Sequence, residues 1–198
     1  VKEYWDKRYA AQGLKTVGHI SFNEWEFEEV MGRSIRLLRA SSTGILSGRV
    51  LDLGCGWGRM SRELVGMGCE VHGLDVADWA IEKAREVVPS GAFGLFDGKT
   101  IPHPDGYFNG VLTWTVLQHV PDRDLGILSQ EIMRVLAPGG TLLCYENITP
   151  APSAGHIWFR SEYDYRQLFE PLVFEAITAI KGMDGTKEIH ALMRWGKT

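Results

Sequence analysis

Three glycines and three carboxylates set out the chemistry open to this chain. Asp52 lies inside an apolar run, Val50-Leu51-Asp52-Leu53, that feeds directly into Gly54-Cys55-Gly56-Trp57-Gly58. Alternating glycines after such a run let the backbone leave a strand and enter a helix within a few residues. They also let a ligand approach main chain that a Cβ would shield. Asp75 closes the next apolar run, and Asp97, followed by Gly98, comes after the third. An ionised carboxylate only accepts hydrogen bonds, through two oxygens. Such groups suit hydroxyls, ammonium groups and exocyclic amines, and they repel phosphates. His119, in Leu117-Gln118-His119-Val120-Pro121-Asp122, adds a side chain that can take a proton near neutral pH.

The elements that must position these residues follow from the hydrophobic rhythm. Short apolar runs at 50–53, 69–74, 92–96, 108–113 and 141–145 alternate with helical patterns at 59–67, 78–88 and 121–136. That alternation predicts βαβ units and a parallel sheet covered by helices on both faces. In the last helix Leu125, Leu128, Ile132 and Val135 recur at three- and four-residue steps, which puts them on one face. Pro121 can sit in its first turn, and Pro138-Gly139-Gly140 is expected to stop it. Two strand-like runs at 173–180 and 189–195 are joined by a turn-rich stretch, Lys181 to Gly185, too short for a crossover, so they must pair antiparallel. Helical material at 5–11 and 24–40 is expected over the sheet edge or across the pocket. In a doubly wound sheet that pocket lies at the carboxyl ends of the strands, where Asp52, Asp75 and Asp97 would converge.

Taken in order, the glycine turn, Asp75, Asp97-Gly98 and the phrase Arg134-Val135-Leu136-Ala137-Pro138-Gly139-Gly140-Thr141-Leu142-Leu143 resemble the class I S-adenosylmethionine-dependent methyltransferases. The resemblance is firm from Val50 to Glu146 and loose on the flanks. It implies an α/β, doubly wound, mostly parallel seven-stranded sheet of order 3-2-1-4-5-7-6 with the last strand antiparallel. It also implies a single domain, with residues 1–48 as a helical cap on a core of residues 49–198. Cofactor contacts are expected at Asp52, Gly54, Cys55, Gly56, Asp75, Val76, Asp97, Gly98 and Thr113, with Asp75 on the ribose hydroxyls and Asp97 on the adenine amine. The helix starting near Gly58 would turn its positive end toward the cofactor's carboxylate. Trp57 and Met60 line the cofactor or fill the core. A dinucleotide-binding dehydrogenase is the competing reading. Its G-x-G-x-x-G spacing differs, and the negative Asp52 would oppose a pyrophosphate while suiting a cofactor with a sulfonium and an ammonium.

Local alternatives accompany these assignments. Asp75 could instead cap the following helix, although Asp78 is better placed for that, and Asp97 could serve only the turn with Gly98. In this family a His in the position of His119 falls near the transferred methyl, as base or as frame. His156, Trp158 and Arg160, in the segment after the fifth strand, are candidates for the acceptor wall. Tyr4, Trp5 and Tyr9 resemble a leading helix folded over the cofactor.

Composition narrows the acceptor. Acidic residues outnumber Lys and Arg by 25 to 21, which gives no footprint for a phosphate backbone, so nucleic acid is not expected. No apolar stretch reaches the roughly 18 residues that span a bilayer, and no signal-peptide pattern opens the sequence. Cys55, Cys69 and Cys144 stand singly, which fits buried small hydrophobes in a reducing cytoplasm rather than zinc ligation or disulfides. No acidic or histidine spacing suggests a divalent metal. The Asn/Asp-Pro-Pro-Tyr tetrapeptide of the adenine and glutamine amino-methyltransferases is absent, with Thr113-Trp114-Thr115-Val116 in its place, and no Pro-Cys pair is present. The expectation is in-line methyl transfer, without metal, to an oxygen or nitrogen of a small polar metabolite, glycosyl and other natural-product acceptors included, leaving S-adenosyl-L-homocysteine. A non-catalytic cofactor-binding partner subunit is the alternative within the same fold.

Overall fold

A computed structural model describes residues 2–17, 23–150, 155–181 and 189–198. Helices α1 (Lys2–Gln12) and α2 (Glu24–Ser42) precede the sheet. Strands β1 (Arg49–Leu53), β2 (Glu70–Asp75), β3 (Ala92–Leu95), β4 (Phe108–Trp114) and β5 (Leu136–Asn147) are separated by α3 (Arg59–Gly66), α4 (Asp78–Val87) and α5 (Asp122–Val135). Helix α6 (Glu162–Leu168) leads to β6 (Val173–Lys181) and β7 (Ile189–Gly196). The strand order is β3-β2-β1-β4-β5-β7-β6, and β7 runs antiparallel to both neighbours, as the sequence predicted. Residues 182–185 of the expected turn between β6 and β7 lie outside the described residues.

Each buried strand separates two cores by alternation. Leu51, Leu53, Val111, Leu142 and Cys144 face α5 and α6, where Leu125, Leu128, Ile132, Val135, Tyr165 and Phe169 complete one cluster. Val50, Leu112, Trp114, Leu143 and Tyr145 face the other way, against Leu38 of α2 and Met60 and Leu64 of α3. The four-residue periodicity of α5 is thus used as read. All three cysteines are buried and free.

The ends of the elements depart from expectation in instructive ways. Pro121 is the N-cap of α5 rather than part of its first turn, and the helix ends at Val135. Pro138-Gly139-Gly140 does not itself stop the helix but lies inside β5, at a register shift against β4 between Phe108 and Gly110. Gly139 has φ +74, and its N–H donates to Lys197 O at 2.6 Å. A Cβ on Gly140 would stand 2.8 Å from Ala137 O, so the bulge needs glycine there. The open end of α5 is closed from a distance: Lys197 Nζ donates to Met133 O at 2.7 Å and Leu136 O at 2.6 Å. At α4 the N-cap is Ala77, which has no side-chain cap. Asp78 is not the cap expected of it; its carboxylate pairs with Lys2 at 2.5 Å.

Ile132 is fully buried on the α5 face. Truncation to Ala should lower the unfolding free energy by about 2–5 kcal/mol, measured by urea denaturation; a loss below about 1 kcal/mol would mean that this face is not the core contact described.

Candidate active site

The chain turns sharply at the end of β1 because β2 holds it there. Gly54 N and Cys55 N both donate to Leu74 O, at 2.7 and 3.0 Å. Gly54 has φ +72, and a Cβ on it would run into the Val116 side chain. Asp52 is buried beside this turn, and its Oδ2 accepts from Ser61 Oγ at 2.6 Å. Burial pushes its pKa up to about 6, against the Ser61 hydroxyl and the field of Arg59, which hold it down. Asp75, at the end of β2, accepts from Gly56 N at 2.9 Å and from Ala77 N at 3.0 Å, so one carboxylate orders both the glycine turn and the entry to α4. Burial also raises its pKa.

These groups open into a cavity of about 380 Å³ at the carboxyl ends of β1 to β5. Asp52, Gly54, Cys55, Gly56, Asp75, Val76, Asp97 and Gly98 all line it. Met60 does too, whereas Trp57 turns away and donates through Nε1 to Leu14 O at 3.1 Å. Asp97 sits beyond the end of β3 and serves the turn there. It faces the cavity, and its Oδ1 accepts from Lys99 N and Thr100 N at 2.8 and 2.7 Å, which holds its pKa down. Thr113 is not on the cavity wall; its hydroxyl donates inward to Glu146 at 3.1 Å.

The N-terminal helices form the roof. Trp5, Arg8 and Tyr9 of α1 and Val30, Met31 and Ser34 of α2 line the cavity. Helix α1 is tied down by a ring ladder. Tyr4 stacks on His156 at 4.2 Å, with its hydroxyl 2.9 Å from His156 Nε2, and Tyr9 stacks on Trp79 at 5.0 Å.

His119 reaches the cavity, but its surroundings decide its state. Nδ1 lies 3.0 Å from His156 O, and a carbonyl only accepts, so Nδ1 carries the proton and Nε2 is left as the acceptor. The ring is stacked on His156 and met edge-on by Trp5, both at 5.0 Å. Burial pushes its pKa down to about 4, with the His156 carbonyl opposing and His156 and Arg8 assisting. His119 is therefore neutral at pH 7 and holds a proton poorly.

His156 lines the cavity, while Trp158 and Arg160 do not. Arg160 is buried, donating to Leu117 O at 2.9 Å, Val120 O at 2.7 Å and Asp122 Oδ1 at 2.6 Å. Its charge binds the loop that follows β4 rather than a ligand. Trp158 N donates to Gln118 O at 2.8 Å, to the same end.

Five functional positions escaped the sequence reading. Arg59, the first residue of α3, is buried against the cavity, and its Nη1 has no hydrogen-bond partner among the described residues. Burial lowers its pKa to about 10. Its place directly after Gly58 was the available signal. Glu146, fully buried at the end of β5, accepts from Thr113 Oγ1 and from the N–H groups of Val116, Leu117 and Gln118, at 3.1 to 3.2 Å. Burial pushes its pKa up to about 7 against those four donors. Thr115, on the cavity wall, takes φ +57, a left-handed conformation costly for a β-branched residue, and Glu146 is what holds the adjoining loop. Tyr145 and His190 meet only because β5 pairs with β7. Among the described residues no three His, Cys, Asp or Glu side chains are grouped to hold a metal, and no helix is long and apolar enough to cross a membrane.

Known proteins agree with this geometry. Residues 50–140 match the methyltransferase domain family. The 2-methyl-6-phytyl-1,4-hydroquinone methyltransferase of Synechocystis is 34% identical over 148 residues, 73% of this chain and 46% of that protein. The malonyl-[acyl-carrier protein] O-methyltransferase of Salmonella typhimurium is 38% identical over 50% of this chain and 42% of its own length. The chain thus spans less than half the length of these two relatives. The PH0226 protein of Pyrococcus horikoshii shares the fold over 100% of both chains, with a TM-score of 0.77 at 21% identity. With the glycine turn, the strand-end carboxylates and the sheet order, these matches show that the chain belongs to the class I S-adenosylmethionine-dependent methyltransferases.

Replacing Glu146 by Ala strands the buried N–H groups of Leu117 and Gln118 and the partly buried one of Val116, each worth about 1–3 kcal/mol. Chemical denaturation of Glu146→Ala should therefore show a loss of at least about 3 kcal/mol; near-wild-type stability would mean that the loop is held by other contacts.

Proposed function

We propose that the protein transfers a methyl group from S-adenosylmethionine to an oxygen or nitrogen of a small acceptor, by direct in-line displacement. The observation that carries this reading is the pairing of opposite buried charges around the glycine turn. Asp52 offers a carboxylate to an ammonium, and the Nη1 of Arg59, unpartnered among the described residues, offers a donor to a carboxylate; an amino-acid zwitterion presents both. A pyrophosphate would meet Asp52 unfavourably, which argues against a dinucleotide. Asp75 retains acceptor capacity for two ribose hydroxyls beside its backbone bonds. Phe96, Asp97, Gly98 and Leu128 suit a purine with an exocyclic amine.

When bound, the cofactor supplies a methyl made electrophilic by a sulfonium. The chain's own part is to align the acceptor and keep water out. Trp5 and Tyr9 of α1 roof the cavity, and His119, neutral and fixed in one tautomer, frames the loop after β4. The two curated relatives are named for unlike acceptors, a phytyl-hydroquinone and a malonyl-[acyl-carrier protein], so they support the reaction class and leave the acceptor to the cavity's own chemistry. The acidic surface balance supports a small-molecule acceptor over nucleic acid, and the three free, buried cysteines support a reducing compartment such as the cytoplasm. Catalysis without a metal follows from a step that is only alignment and proton removal, so excess chelator should leave turnover of labelled methyl unchanged.

Asp75→Ala should weaken binding of the cofactor by about 1.5–3 kcal/mol, the range for a charged hydrogen-bonding group. Calorimetric titration checks this, and an unchanged Kd in a folded variant would remove Asp75 from the ribose site. Arg59→Met should weaken S-adenosylhomocysteine by a similar margin, about 1.5–3 kcal/mol, but leave adenosine affinity unchanged, because only the amino-acid end meets Arg59. Equal losses for both ligands would contradict the assignment.

A further inference from the structure

Methylating a hydroxyl releases a proton, and His119 is a poor place to put it. We infer that the Tyr145–His190 pair receives that proton and that the acceptor is a hydroxyl on an aromatic ring, an inference that rests on the methyltransferase reading above. Tyr145 and His190 both line the cavity on the sheet face that carries Asp52 and Trp114. Their contact is built by strand pairing: Tyr145 stands opposite Leu192 and Asn147 opposite His190, which brings Tyr145 Oη within 3.0 Å of His190 Nδ1.

Three properties of this corner select the acceptor class. The first is shape: Tyr145 is stacked on Trp114 with centroids 4.4 Å apart and planes 20° apart, and Met31 of α2 faces the same space. That is a flat apolar wall, suited to a ring rather than to a sugar with hydroxyls on every side. The second is acidity. A phenol is a far stronger acid than an aliphatic hydroxyl, so a ring hydroxyl is the kind of acceptor that can lose its proton to this pair. The third is charge. The Arg59 guanidinium lies in the field of Tyr145 in the same cavity, so an oxyanion formed there is met by a cation.

The step balances. The acceptor O–H breaks and its proton passes to Tyr145 Oη, while the proton already on Tyr145 passes to His190 Nδ1. Tyr145 ends as it began, the acceptor becomes an oxyanion and His190 an imidazolium. His190 is only partly buried, so it can return the proton to water.

The test uses the full chain saturated with S-adenosylhomocysteine and 4-nitrophenol as probe, buffered where the free probe is mostly protonated. The phenolate band in the visible spectrum reports the proton's position without any methyl transfer. The wild type should bind the probe and shift it toward phenolate. Tyr145→Phe, which keeps the ring, and His190→Gln should lose the shift while titrating normally with S-adenosylhomocysteine. A bound probe that stays protonated, a shift that survives both substitutions, or no probe binding at all would each overturn the inference. Failure of the wild type to bind S-adenosylhomocysteine would instead overturn the methyltransferase reading beneath it.

Discussion

Much of this structure is arranged around a carboxylate that has been taken out of water at the end of β1. An isolated buried charge is expensive, and Asp52 is 2% exposed. Ser61 on α3 hydrogen-bonds to it, and Arg59 on the same helix supplies the opposing charge. Both partners reach it only because Gly54, Gly56 and Gly58 fold the chain back within a few residues, all with positive φ. Asp52 is left only partly compensated by the protein, which is what a site for a cationic ligand requires. The Arg59 Nη1 left without a partner among the described residues is the matching half of the same arrangement.

A second buried carboxylate organises the far side of the cavity. Glu146 gathers three consecutive backbone N–H groups from 116–118, and Gln118 passes the constraint on by accepting from Asn147 N at 2.9 Å. Arg160 grips the carbonyls of the same loop from the opposite direction. The loop after β4 is thereby fixed by acceptors on one side and donors on the other. That explains how Thr115 keeps its left-handed backbone and how His119 keeps its tautomer. Asp75 does the equivalent at the glycine turn. In each case a side chain that could have been spent on a ligand also builds the wall that the ligand would meet.

The parallel sheet and its antiparallel ending were legible because apolar runs and helical stretches alternate from residue 50 onward and the last two runs are too close together for a crossover, whereas the strand order came with the family resemblance. The acidic residues were legible from the same runs: Asp52 interrupts the first of them, and Asp75 stands where the second stops. What could not be read was any contact made across chain distance. Arg160 looks in sequence like a cation beside two aromatics, and only the fold shows its guanidinium turned into the carbonyls of 117 and 120. Thr113 looks like a strand-end ligand, but alternation turns it to the face of Glu146. Tyr145 and His190 are 45 residues apart and meet through an antiparallel register that periodicity does not fix. Pro138-Gly139-Gly140 reads as a helix stop, although its physical role is a bulge inside β5.

The central claim is that the charge on Asp52 selects the cofactor, and the affinity for S-adenosylmethionine as a function of pH tests it most directly. With Asp52 titrating at about 6 in the free protein, a bound ammonium favours the ionised form, so binding expels a proton in acid. Affinity should be constant above neutrality and fall as the pH drops through 6 toward 5, by up to about tenfold per unit. Asp52→Asn should bind weakly at every pH, and NAD should not bind at all. Affinity that is flat from pH 7.5 to 5 in the wild type, or tight binding of NAD, would contradict the account.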